Sequence, residues 1–265
     1  MLVGVVIAAI MPDVFVFFGG GGQGYPAFCW FLGVMAIGVA ILTQSVWRRP
    51  VILGEALSFG GIVNAGALKL LMLAMINSLP VAITSTLFLF FVEDRLLLHG
   101  MAGVLLILFF VSAGVTVPIW AKISLRVGGK RTLLFAMPMS ILGFAGAAYI
   151  APENPVGFAV ICVASGAALG ADLVILPAMF SVALTQAGLK ASAAFGIWSF
   201  AGKLGLALAA FLVLPMLERS GFNAGQSNSA QALETLNITY AVIPCILKLG
   251  ALLMVLSLPD KELSS

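Results

Sequence analysis

Charge is the scarcest commodity in this sequence. Asp, Glu, Lys and Arg together make up 9% of its 265 residues, against roughly a quarter of an ordinary soluble domain. So few charges cannot clothe a water-facing surface of this size. With 62% hydrophobic residues and a mean hydropathy of +1.18, lipid is left as the solvent. Histidine occurs once, at His99, so no second histidine can join it at a metal. The three cysteines, Cys29, Cys162 and Cys245, each stand alone inside an apolar stretch, which excludes a disulfide framework or a zinc cluster and leaves buried, inert thiols. The net charge of +3 is spread over short loops and forms no basic face, so nucleic acid is not an expected partner. No phosphate-binding loop, nucleophile elbow or His-Glu zinc pattern occurs. The short alternating segments of a membrane barrel are also missing. Met1 to Ile10 is apolar from the outset with no basic leader, and reads as a spanning helix that has lost what preceded it, not as a signal peptide.

What remains is a series of long apolar runs. A hydrocarbon layer of ~30 Å needs about 20 apolar residues per helix, and eight stretches qualify: Leu2–Phe18, Tyr25–Val46, Ala65–Val92, Met101–Ala121, Thr132–Ile150, Val156–Leu184, Ala191–Leu217 and Leu236–Leu258. The fold class is therefore an all-α membrane protein of about eight spanning helices. Pro80 and Pro177 fall inside the long third and sixth runs and should kink them.

Orientation follows from the cations. One alternate set of loops carries Arg48, Arg49, Lys122, Arg126, Lys130, Arg131 and Lys190, with Lys261 in the tail. The other holds Arg95 and Arg219 beside Glu93, Asp94, Glu153, Glu218 and Glu234. The positive-inside rule places the first set, and the C-terminus, in the cytoplasm. Trp47–Asn64 then reads as a long cytoplasmic link suited to the interface. Residues 1–46 precede it, residues 65–258 form a six-helix bundle, and 259–265 are a tail. The outward loop Glu218–Thr235, rich in Ser, Asn and Gln, is expected to be exposed and mobile.

Four segments carry a family resemblance. Asn77-Ser-Leu-Pro-Val-Ala-Ile-Thr-Ser-Thr-Leu-Phe-Leu-Phe-Phe-Val92 resembles helix seven of the glycoside–pentoside–hexuronide:cation symporters, the group that contains the melibiose carrier. Pro118-Ile-Trp-Ala-Lys-Ile-Ser-Leu-Arg-Val-Gly-Gly-Lys-Arg131 is similar to their loop between helices eight and nine. Gly170-Ala-Asp-Leu-Val-Ile-Leu-Pro-Ala-Met179 resembles helix ten, and Gly196-Ile-Trp-Ser-Phe-Ala-Gly-Lys-Leu-Gly205 the lysine-bearing part of helix eleven. Leu125 replaces the acid that often precedes the basic loop, and Ser181-Val182 stands where an Ala-Asp-Val element is usual.

The resemblance implies a major-facilitator carrier of which this chain holds helices five to twelve: the last two helices of an N-terminal bundle (1–46), a linker (47–64) and a C-terminal bundle (65–258). It further implies cation-coupled sugar or glycoside symport by alternating access in a bacterial inner membrane, with no cofactor beyond a coupling Na+ or H+. The family's coupling carboxylates lie on early helices that have no counterpart here, so a separate N-terminal half is an expected partner besides the lipid and the solute. The alternatives are a non-transporting fragment or subunit of a split carrier, or a membrane-embedded lipid-modifying enzyme. The latter would need convergent carboxylates or histidines, and the spans offer only Asp13 and Asp172. No enzyme is expected.

Ionisable groups inside a membrane mark pathways or buried pairs. Lys203, deep in its run, reads either as a substrate- or cation-pathway residue or as half of a structural ion pair. Asp172 is its expected partner or a ligand to a sugar hydroxyl, behind a close-packing Gly166-x-x-x-Gly170 face. Lys248, one turn past Pro244, reads as a donor to a carbonyl which that proline frees. Asp13 near the end of the first run reads as a snorkelling or water-facing group. Asn77 and Thr84 share a helix face, and with Trp198 they could meet a sugar's hydroxyls and ring, although a lone tryptophan such as Trp198 is more often a packing residue or an interface anchor. His99 reads as a solvated loop residue. Arg126, Gly128, Gly129, Lys130 and Arg131 form a candidate cytoplasmic gate, with glycines for a tight turn and cations for helix C-terminal carbonyls.

Overall fold

The computed structural model describes residues 24–44, 67–186 and 191–258. The run Leu2–Phe18 with Asp13, the link Trp47–Asn64, Lys190 and Lys261 lie outside the described residues. The chain divides into two compact units, Met1–Ala56 and Leu57–Ser265. Of the first unit, one helix is described, α1 (Gly24–Leu42).

The described residues of the second unit form helices joined by short loops, with no strand among them. It runs α2 (Ala67–Phe90), α3 (Ala102–Val127), α4 (Gly129–Tyr149), α5 (Pro155–Gln186), α6 (Ala191–Arg219), α7 (Ala230–Asn237) and α8 (Ile243–Leu256). A π-turn, Phe91–Arg95, extends α2, and a second, Ile238–Val242, fuses α7 to α8. Among the described residues, six continuous helices are thus long and apolar enough to cross a bilayer, and α1 holds a shorter apolar helix, Cys29–Leu42. The chain is an all-α membrane protein.

Pro80 and Pro177 sit inside α2 and α5, and Pro118, Pro138 and Pro215 inside three others. The second π-turn has a local cause: Pro244 has no N–H to return to the carbonyl of Tyr240, and the Ile243 N–H reaches back to Ile238 instead. The two π-turns meet face to face, with Phe91 and Tyr240 stacked at 3.9 Å between ring centroids.

Without a hydrophobic drive between helices in lipid, small residues and polar donors must hold the bundle. The α3–α5 seam shows both. A Cβ on Gly166 would lie 2.2 Å from the Phe109 carbonyl oxygen, and one on Gly170 would lie 2.7 Å from that of Ala113. Beside this groove Ser112 donates to the Val163 carbonyl at 2.7 Å, and Trp120 Nε1 donates to that of Ala167 at 2.7 Å. Apolar side chains gather in two clusters. One surrounds Phe91, Phe158, Leu217 and Tyr240, and the other surrounds Leu133, Ile175, Phe180 and Val255.

The loop before α7 differs from expectation. Ser229 caps α7, its hydroxyl accepting from the Ala232 N–H at 3.2 Å, so the last helix begins at Ala230 and not at Leu236. The loop is exposed over most of its length, as expected, and carries hydrogen bonds of its own. The Asn228 side chain bonds the Asn223 backbone twice, its Oδ1 accepting from the Asn223 N–H and its Nδ2 donating to the Asn223 carbonyl; the Gly225 N–H donates to Asp94 Oδ1 at 2.8 Å, and Phe222 packs edge-on against Phe90.

Candidate functional site

Three polar side chains meet where the two apolar clusters adjoin. Lys248 of α8 donates to Asn77 Oδ1 of α2 at 2.6 Å and forms an ion pair with Asp172 Oδ2 of α5. Lys248 is 1% exposed, Asn77 4% and Asp172 7%. Charges taken from water are tolerated only when paired and hydrogen-bonded, and here one ammonium meets one carboxylate and one amide oxygen. The second carboxylate oxygen, Asp172 Oδ1, is buried with no hydrogen-bond partner.

This arrangement corrects two expectations. Asp172 is paired with Lys248 and not with Lys203. The Lys248 ammonium serves side chains of two other helices and is not spent on a carbonyl freed by Pro244. Lys203 is exposed on this unit. Its helix does touch that of Asp172, through Trp198, whose ring lies on Phe180 with centroids 4.8 Å apart. Trp198 therefore packs, half-buried, against the cluster around Phe180.

Thr84 lies two turns from Asn77 on α2 and is buried. Its hydroxyl donates back to the carbonyls of Pro80 at 3.0 Å and Val81 at 3.1 Å. It lines a small cavity of about 20 Å³ with Phe88, Phe109, Phe158 and Ser165, room for about one water molecule. Thr84 and Asn77 thus share a buried face without sharing a site.

The basic turn is tightly made. Gly128, at φ +89°, ends α3, and the Thr132 hydroxyl donates to its carbonyl at 2.8 Å. A Cβ on Gly129 would press to 3.1 Å from Met179. Lys130 Nζ donates to the carbonyl of Leu258 just beyond α8, while Arg126 and Arg131 are exposed. At the opposite end Glu93 accepts from the Gly100 N–H at 3.0 Å and meets His99 Nδ1 at 3.3 Å. His99 is largely exposed there. Among the described residues no group of three His, Cys, Asp or Glu side chains could hold a metal ion.

Lys248 is the residue whose role sequence reasoning missed. Apolar residues stand on every side of α5, α6 and α8, so the hydropathy pattern alone does not tell which lysine points inward.

Compared with known families, residues 1–259 match the family described as MFS/sugar transport protein. No curated protein matches the chain significantly. A match across nearly the whole chain, over a unit of six long apolar helices, makes this a multi-pass membrane transporter. The chain belongs to the MFS/sugar transport protein family of the major facilitator superfamily.

Proposed function

We propose that the chain is a secondary carrier of a sugar or glycoside, with the six-helix unit as one of two bundles that rock about a central site. The observation that carries this reading is the exposure of Lys203 within the span Gly196–Arg219. A lysine facing hydrocarbon costs about 2.5–3.5 kcal/mol even on the lenient insertion scales. Gly196 and Ser199 precede it on the same helix face and are exposed too. A stripe of glycine, hydroxyl and ammonium suits water and a polyol better than it suits acyl chains. Lys203 is the pathway residue of this reading. Trp198 borders the stripe, and Asn77, Asp172 and Thr84 support it from within.

Coupling to Na+ or H+ belongs to the other bundle, which supplies the coupling carboxylates in the symporters that this chain resembles. The turn formed by Arg126, Gly128, Gly129, Lys130 and Arg131 is the cytoplasmic gate element. The excess of loop cations supports a cytoplasmic position for that turn and for the C-terminus.

The test is uptake of a panel of labelled mono- and disaccharides and aryl glycosides. Cells lacking their own carriers would express the protein in its natural gene context, with Na+ or H+ gradients imposed. Gradient-driven accumulation of at least one sugar, lost in Lys203→Ala at equal expression, is expected. Uptake of the same sugar undiminished in Lys203→Ala, or accumulation of non-sugar solutes alone, would overturn the reading.

A further inference from the structure

The oxygens around Lys248 are arranged as a free cation would need them. Asn77 Oδ1 and Asp172 Oδ2 both face the Lys248 nitrogen. Asp172 Oδ1 is buried in the same place and accepts nothing. A buried oxygen without a partner carries a desolvation cost that native structures normally relieve. The ammonium leaves that cost standing, because it engages one carboxylate oxygen and not both. A small spherical cation touching the carboxylate edge would engage both. Hard oxygen donors, two from a carboxylate and one from an amide, are the ligands that such cations take. A single carboxylate balances one positive charge, and a divalent ion here would leave an uncompensated charge in the interior.

We propose that Asn77 and Asp172 form a monovalent-cation site that the chain fills with its own tethered cation, the Lys248 ammonium. In the native protein the seat needs no Na+ or Li+. Shortening Lys248 converts it into a site for a free alkali cation held by both oxygens of Asp172 and by Asn77 Oδ1. The inference does not rest on the carried solute being a sugar, and its test reads stability, so it can fail while the transport reading stands.

The experiment is thermal melting of the purified full chain in detergent, with NaCl or LiCl against choline chloride, whose cation is too large for the seat. Wild type is expected to melt at the same temperature in all three. Lys248→Ala is expected to melt lower in choline and to be raised by Na+ or Li+ with a saturating dose dependence. Adding Asn77→Ala should weaken that dependence by about tenfold, the loss of one hydrogen-bond-strength contact to a charge. Adding Asp172→Asn should abolish it. Should Lys248→Ala yield no folded protein in any salt, Lys248→Gln, which keeps the side-chain length, is measured for the same response. Melting of the Lys248 variant that is blind to Na+ and Li+ but rises as pH is lowered would mean that Asp172 simply takes up a proton, and would overturn the proposal. A saturating Na+ stabilisation of wild type would overturn it as well.

Discussion

Lys203 and Lys248 both lie well inside spanning helices of the same unit, and they live in opposite surroundings. Lys248 is sealed between α2, α5 and α8, with an amide and a carboxylate as partners. Lys203 is exposed on α6, on a face with Gly196 and Ser199. One charge is neutralised by the fold, and the other is left for whatever lies against that face. A buried ion pair specifies how helices seat against one another, whereas an exposed cation at membrane depth marks a surface that is not meant for lipid. On the function proposed above, the difference separates structure from transport within a single bundle.

The sharpest way to break the comparison is to remove one partner of the sealed pair. Lys248→Met leaves Asp172 buried and alone, and should cost about 3–5 kcal/mol in unfolding measurements. Removing both charges, as Lys248→Met with Asp172→Asn, should recover most of that loss, a coupling that a double-mutant cycle would read out. If the double variant is no better than the single one, the pair is not the unit described here.

A smaller effect is expected along the seams. Gly166→Ala forces a Cβ to 2.2 Å from the Phe109 carbonyl oxygen, and the overpacking should cost about 1–3 kcal/mol. Gly202 lies beside Lys203 in sequence, and a Cβ there meets nothing within 4 Å. Gly202→Ala should therefore be neutral or stabilising by up to about 1 kcal/mol, through helix propensity alone. Melting temperatures of the two alanine variants moving in the same direction by equal amounts would erase the distinction between the packed and the open face.

Smaller still is Lys130→Ala. It removes a cation that donates to the carbonyl of Leu258 at the end of α8. A loss of about 0.3–1 kcal/mol is expected, shrinking at high salt. The smallest stability effect belongs to Lys203→Ala, expected within about 0.5 kcal/mol of wild type. Its consequence should appear in uptake, and a large loss of stability would return Lys203 to the structural class.

Much of the fold was legible because the bilayer imposes it. Continuous apolar runs located α2 and α4 to α6 to within a few residues, while α3 runs on to Val127, past the expected end at Ala121; two other differences have local causes. Asn154 Oδ1 accepts from the Gly157 N–H at 2.9 Å, and α5 starts at Pro155, a residue suited to a first helical turn. Ser229 starts the last helix early for the same kind of reason. The Gly166-x-x-x-Gly170 face was read correctly because closeness of backbones needs absent side chains, and absence is visible in a sequence. The charge pairing was not legible. Lys203 and Lys248 both sit well inside largely apolar helices, so spacing alone cannot say which of them meets Asp172. The π-turns at Phe91–Arg95 and Ile238–Val242 were likewise hidden, since a single extra residue in a turn leaves the hydropathy pattern unchanged.

The central claim is that the Lys203 face lines water while the Lys248 seat is dry. It is tested most directly by thiol labelling. With Cys29, Cys162 and Cys245 replaced by serine or alanine, Lys203→Cys and Lys248→Cys would be exposed, in intact membranes, to a permanently charged methanethiosulfonate that cannot cross lipid. Rapid modification of Lys203→Cys, slowed by a transported sugar, with Lys248→Cys unmodified in folded protein, is the expected result. A Lys203→Cys thiol that stays inert from both sides of the membrane would place that face against lipid and contradict the account.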